Sequence, residues 1–201
     1  MLNELLKRYP ALWECKNDII NAEKALISLY EKGGKLLICG NGGSCADSEH
    51  IAGELMKGFM KKRPLSNEHR QGLEDEIADK LQEGLPCIPL TSFSALNTAF
   101  CNDVEPELVF AQPLWVLGNE SDMLIAISTS GNSKNVVAAA KVAKAKGMTV
   151  LALTGKSGGK LKDIADITVA VPETETFKVQ ELHLPTYHYL CAKVEAHFYE
   201  I

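Results

Sequence analysis

The chain has 201 residues, of which 46% are hydrophobic and 23% charged, with a formal net charge of −5. This composition excludes a disordered chain, and the acidic balance argues against a nucleic-acid surface, which needs a basic face. No apolar run approaches the roughly 20 residues of a membrane span.

The opening residues, MLNELLKRYPALWE, lack the basic-then-apolar pattern of a secretory signal, so a cytoplasmic location is expected. Apolar residues recur at helical spacing from Leu2 to Tyr30, and Pro10 divides that stretch into two helices. Gly33-Gly34 ends the second helix. Lys35 to Gly40 reads as a buried strand, closed by the turn Gly40-Asn41-Gly42-Gly43-Ser44, after which Asp47 to Met60 is helical. Between Arg63 and Gly84 the chain turns highly charged. There the spacing of Leu73, Ile77 and Leu81 suggests an amphipathic helix on a connecting excursion. Met123 to Ile127 is a second strand, the turn Ser128-Thr129-Ser130-Gly131-Asn132-Ser133 follows, and Asn135 to Lys146 is a helix. Further strands are expected at 149–154 and 167–171, then a long helix from Thr176 to Tyr199 interrupted at Pro185. Alternating strands and helices, each strand ending in a Gly/Ser/Thr turn, predict a single domain over 1–201. It is an α/β fold with an open, doubly wound parallel sheet flanked by helices.

In such sheets ligands gather beyond the carboxyl ends of the strands. Both turns open a helix, where unpaired N–H groups and the dipole favour an anion. The second turn offers more hydroxyls than one helix cap uses. Neither turn matches the P-loop or the dinucleotide glycine spacing, so a small phosphorylated metabolite fits better than a nucleotide. His50 and Glu54, four apart, share a helix face and could grip a metal or form a proton-transfer pair; an idle surface pair is the plain alternative. On the last helix Gln180 and His188 are eight residues apart, about 12 Å along a straight axis. Joint ligation of one ion by both then needs an irregular start, a bend at Pro185, or residues from two subunits. The six cysteines form no CxxC pair and are expected as free thiols, with Cys45 beside a helix start.

Taken together, GNGGS, His-x-x-x-Glu, Asn102-Asp103, STSGNS, LTGKSGGK and Gln-Glu-x-His-x(4)-His resemble the sugar-isomerase (SIS) domain family, and within it the phosphoheptose isomerases. The resemblance spans nearly the whole chain outside 63–84. It implies a flavodoxin-like SIS fold and an aldose-ketose isomerase interconverting sedoheptulose 7-phosphate and D-glycero-D-manno-heptose 7-phosphate. It places sugar-phosphate contacts on Asn41, Gly42, Gly43, Asn102, Asp103, Ser128, Thr129, Ser130 and Ser133, with Ser44, Glu54 and Gln180 beside them. It also implies zinc on His50, Glu54, Gln180 and His188, an acid/base pair of Glu54 and His188, and a homotetramer with shared active sites. The competing readings are isomerisation of another sugar phosphate and a non-catalytic phosphosugar-binding module.

Overall fold

The computed structural model describes residues 1–199. Its centre is a five-stranded, all-parallel sheet in the order β2-β1-β3-β4-β5. The strands are β1 (Leu36–Cys39), β2 (Cys87–Pro89), β3 (Met123–Ser128), β4 (Thr149–Thr154) and β5 (Ile167–Ala170). The helices are α1 (Leu2–Arg8), α2 (Lys16–Glu31), α3 (Gly43–Met56), α4 (Asp75–Ala78), α5 (Ser94–Asp103), α6 (Ala111–Leu117), α7 (Lys134–Ala145), α8 (Gly159–Lys162) and α9 (Thr176–Phe198).

Strand side chains alternate between two apolar layers, as the two-residue period of a pleated strand requires. Leu36, Ile38, Ile125, Ile127, Leu151 and Leu153 face Ile19 and Leu26 of α2, Ile51 and Leu55 of α3, and Leu190 and Val194 of α9. Leu37, Cys39, Leu124, Ala126, Val150 and Ala152 face Leu114 of α6, Val136 and Ala140 of α7, and Leu161 of α8. The central strands are buried on both faces, which is why they read as unbroken apolar runs. From β1 the chain crosses to β2 on one side, then returns to β3 on the other. The topological switch point therefore lies between β1 and β3, and the two phosphate-type turns follow these two strands.

Three expectations are corrected. The charged segment 63–84 is not an amphipathic helix. It holds only the single turn α4, and Leu73, Ile77 and Leu81 are 40%, 48% and 47% exposed. Glu74 is extended (φ −66°, ψ 140°), so the helix starts only at Asp75, and Arg70 reaches Asp75 and Asp79 in place of an apolar partner. The last helix is not interrupted at Pro185, which sits inside a continuous α9. Burial of Pro185, Thr186, Tyr187, Tyr189 and Leu190 offsets the roughly 3 kcal/mol that an interior proline costs. The helix after the glycine turn runs from Gly43, with Gly42 as its N-cap, to Met56, so it both starts and ends four residues earlier than the expected Asp47 to Met60. Pro10 does end α1, opening a 3₁₀ segment over Pro10–Cys15. The cysteines are free, with Cys15, Cys39, Cys87 and Cys191 buried. Among the described residues no helix is long and apolar enough to cross a membrane.

A buried ion pair anchors the loop that follows α3. Arg63 donates from Nε to Glu195 Oε1 at 2.9 Å, and from its two terminal nitrogens to the carbonyls of Leu55 (2.7 Å) and Glu54 (3.2 Å). Glu195 in turn accepts the N–H groups of Phe59 and Met60, both at 2.8 Å. The C-terminal carbonyls of α3, left open by the helix geometry, are thus closed by a side chain from outside it.

His183 of α9 is fully buried and bonds through Nε2 to the Thr154 carbonyl at 3.2 Å, at the end of β4. Burial pushes its pKa down to about 4. The unfolded chain takes up this proton first as pH falls, so stability is lost between pH ~6.5 and ~4. Wild type is expected to lose about 2 kcal/mol more than His183→Asn between pH 7 and 5, measured by urea unfolding. Equal losses in the two proteins would remove His183 from the acid response.

Candidate active site

The turn after β1 delivers the start of α3 to the switch point. The Ser44 and Cys45 N–H groups return to the carbonyls of Asn41 and Gly42, both at 3.0 Å, leaving Gly42 and Gly43 at the positive end of a fourteen-residue helix. The side chain of Asn41 points across the switch point and exchanges two 2.9 Å hydrogen bonds with Asn135 at the start of α7. Asn135, missed at the sequence level, so ties the two turns together. A depression of about 380 Å³ opens beside them, lined by Asn41, Pro106, Glu107, Ser133, Lys134 and Asn135.

The second turn is pre-folded by its own hydroxyls. Ser128 and Ser133 share a 2.9 Å hydrogen bond, and Ser130 Oγ accepts the Asn132 N–H at 3.1 Å. Ser130 is exposed, Thr129 and Ser133 are half-buried and Ser128 is buried. Ser44 is packed inward beneath Gly40 and is 6% exposed. Asn102 and Asp103 stand exposed at the end of α5, where Asn102 Nδ2 donates to Asp103 Oδ1 at 2.8 Å.

α9 runs alongside α3 in the same direction. Gln180 lies at Gly43 and Asp47, Tyr187 at Asp47 and His50, His188 at His50, and Glu195 at Phe59 and Met60 beyond the helix end. Gln180 occupies the space a side chain at Gly43 would need: a Cβ there would lie 2.3 Å from both amide heteroatoms. Gly43→Ala therefore displaces Gln180, and kcat/KM is expected to fall about 10²-fold. A variant with unchanged kinetics would show that Gln180 has no fixed position to lose.

His50 Nε2 lies 3.1 Å from Glu54 Oε1 and 3.4 Å from His188 Nε2. The pair expected from the four-residue spacing on α3 is thus joined by the histidine expected from α9, all within one chain. Glu54 is 14% exposed and His50 43%, so the cluster opens on one side. Burial, with His50 nearby, lowers the pKa of His188, and the Glu54 charge opposes this; the net effect favours the neutral imidazole. Phe59 covers the other side of the His188 ring at 5.6 Å, and beyond it a groove of about 280 Å³ runs between α1 and α9. Chemically this is a carboxylate and an imidazole side by side in a partly dry cleft, the equipment for moving protons between adjacent atoms.

For a metal, the fit is partial. Two imidazole nitrogens and a carboxylate oxygen suit zinc, and the two spacings match the ~3.3 Å edge of a tetrahedron with bonds of about 2.0–2.1 Å. Gln180 does not converge on them. Its Nε2 donates to Asp47 Oδ2 at 3.2 Å, and the regular helix through Pro185 keeps it two turns from His188. Among the described residues no set of three or more His, Cys, Asp or Glu side chains is already closed into a metal cluster. The two short edges are the stronger guide to donor chemistry, because a metal draws ligands together as it binds.

Asp47 and Tyr187 were not singled out from the sequence. Asp47 lies three residues before His50, on the same helix face, and Tyr187 directly precedes His188. The first spacing is a usable signal; the contact between them, across 140 residues, is not.

The SIS-domain family model matches residues 3–155. The phosphoheptose isomerase of Burkholderia pseudomallei strain K96243 is 42% identical over 85% of this chain and 77% of its own. That of Helicobacter pylori strain P12 is 42% identical over 86% and 80%. The structure of the phosphoheptose isomerase from Neisseria gonorrhoeae superposes with a TM-score of 0.76 at 31% identity, covering 96% of both chains. With these matches and the site geometry in hand, the chain belongs to the SIS-domain family and, within it, to the phosphoheptose isomerases.

Proposed function

We propose that the chain interconverts D-sedoheptulose 7-phosphate and D-glycero-D-manno-heptose 7-phosphate. This supplies the first step toward a nucleotide-activated heptose, as in lipopolysaccharide assembly. The observation that carries the reading is the contact of His188 on α9 with the His50–Glu54 pair on α3, beside two anion-type turns. The α3 and α7 N-termini, with Asn41, Gly42, Gly43, Ser128, Thr129, Ser130 and Ser133, bind and orient the phosphorylated substrate. Asn102 and Asp103 contribute sugar contacts from α5. The Glu54 carboxylate takes a proton from C1 of the ketose and returns it to C2. His188 moves a proton between the C1 and C2 oxygens, so that the carbonyl leaves C2 and appears at C1.

The residues that would hold zinc in this reading are His50, Glu54 and His188; Gln180, two turns from His188 on one regular helix, would join only from another subunit of the shared-site tetramer. A bound zinc ion supplies electrostatic stabilisation of the developing enediolate oxygens. The reading includes a cytoplasmic homotetramer whose subunits share active sites, testable by light scattering of the purified protein.

The deciding experiment is an NMR assay of purified protein with sedoheptulose 7-phosphate, with and without added zinc. Aldose signals of the heptose 7-phosphate are expected, with a rate that responds to zinc. If no turnover occurs in either condition and other ketose phosphates react instead, the substrate assignment fails. Binding without any turnover would point to a phosphosugar-sensing module.

A further inference from the structure

We propose that Tyr187 is a positioning residue: held by Asp47, it fixes the imidazole of His50 with its proton on Nδ1 and its lone pair on Nε2, facing Glu54 and His188. The inference deepens the isomerase reading and rests on His50 belonging to that site.

The argument is a count of protons along a short chain of hydrogen bonds. Tyr187 Oη lies 3.1 Å from Asp47 Oδ1 and 3.1 Å from His50 Nδ1. A phenol has one proton to give, and an ionised carboxylate can only accept. Asp47 accepts on its other oxygen from Gln180 Nε2 at 3.2 Å. Burial raises the pKa of Asp47 above its usual value, only partly opposed by the bonds from Tyr187 and Gln180. Burial and the adjacent Asp47 charge hold the Tyr187 hydroxyl well above its usual pKa, so it keeps its proton. The phenol therefore donates to Asp47, and its oxygen is left to accept. The partner across 3.1 Å must then be an Nδ1–H of His50. A hydrogen bond on one ring nitrogen decides what the other presents.

Tyr187 is suited to this by rigidity as well as by polarity. It is 2% exposed, and its ring meets those of His50 and His188 edge-on, at 5.6 and 5.0 Å. The consequence appears on the far side of the His50 ring. Its Nε2 lone pair lies 3.1 Å from Glu54 Oε1 and 3.4 Å from His188 Nε2. The His50 lone pair and the Glu54 carboxylate oxygen thus face one space suited to a proton or a cation, with the His188 ring beside it. The opposite arrangement has Tyr187 donating to Nδ1 and His50 donating Nε2–H to Glu54. It leaves the buried Asp47 Oδ1 facing a phenol oxygen with no proton between them, whereas Glu54, which gives up the His50 proton in the proposed arrangement, stands on the open side with Lys57 Nζ at 3.4 Å.

The test is the histidine tautomer, read from two-bond ¹H–¹⁵N spectra of metal-free, ¹⁵N-histidine-labelled protein at neutral to mildly alkaline pH. His50→Gln identifies the signals. In wild type, His50 is expected to show a protonated Nδ1 and an unprotonated Nε2. In Tyr187→Phe, which keeps the ring, the proton is expected to move to Nε2. A wild-type His50 protonated on Nε2 overturns the proposal without any variant, as does a Tyr187→Phe protein whose His50 is unchanged. The readout is made on resting protein, so it is independent of turnover. A confirmed tautomer with no isomerase activity would sink the functional reading alone, and activity with the wrong tautomer would sink this one alone.

Discussion

Replacing Glu54 by glutamine is expected to lower kcat for sugar-phosphate isomerisation by roughly 10²–10⁴-fold. The change keeps the side-chain volume and removes the carboxylate's charge with its ability to carry a proton. Its neighbours would be little disturbed: Lys57 lies 3.4 Å from Oε2, too long and too exposed a pair for its loss to matter to the fold. The main-chain carbonyl of Glu54, held by Arg63, is untouched. The melting temperature should therefore stay near wild type while turnover collapses, and KM should change much less than kcat, because the lost interaction is one made in the transition state. Retention of full activity by Glu54→Gln would show that another group moves the carbon-bound proton.

The second large effect concerns stability. Arg63→Met is expected to cost about 3–5 kcal/mol, because it leaves Glu195 charged in a site where it is 1% exposed. Burial by itself would raise the pKa of Glu195; the two backbone N–H groups and Arg63 outweigh it and hold the carboxyl below its usual range. Without the guanidinium, the Glu54 carbonyl also loses its donor, and the Leu55 carbonyl keeps only the Leu85 N–H. For a chain of this length the expected fall in Tm is on the order of 10 °C. Adding Glu195→Gln should recover part of the loss, since it neutralises the stranded charge and still offers an acceptor to Phe59 or Met60. Urea unfolding of the single and double variants decides the matter: a single variant within 1 kcal/mol of wild type, or a double no better than the single, would contradict it.

Much of this site was legible in the sequence because its parts are local. The glycine turn, the hydroxyl turn and the His50–Glu54 spacing each lie within one turn or one helix face, and a one-dimensional pattern can carry them. The central strands were legible for the same reason, being apolar on both sides. Strand β2 was not, since Cys87-Ile88-Pro89 is too short for any periodicity to show. The segment 63–84 misled because Leu73, Ile77 and Leu81 have helical spacing but no apolar surface to meet, and the extended Glu74 leaves only Asp75–Ala78 helical. Pro185 misled in the opposite sense, since packing around it outweighs its local preference. The Asp47–Tyr187–His50 chain and the Arg63–Glu195 pair join positions more than 130 residues apart, and nothing in the spacing of either partner announces the other.

The parallel run of α3 and α9 gives these contacts one mechanical variable. Gln180 on Gly43, Tyr187 on Asp47 and His50, His188 on His50 and Glu195 on the loop beyond Met56 all belong to a single sliding register. A shear of α9 by one side-chain step would displace every one of them together, because interlocked side chains hop between discrete seats and do not slip gradually. The polar ends of the cleft, set some two helical turns apart, are therefore geared to each other. A push on Gln180 at one end is delivered to His188 at the other, with the backbone of α9 as the rigid rod.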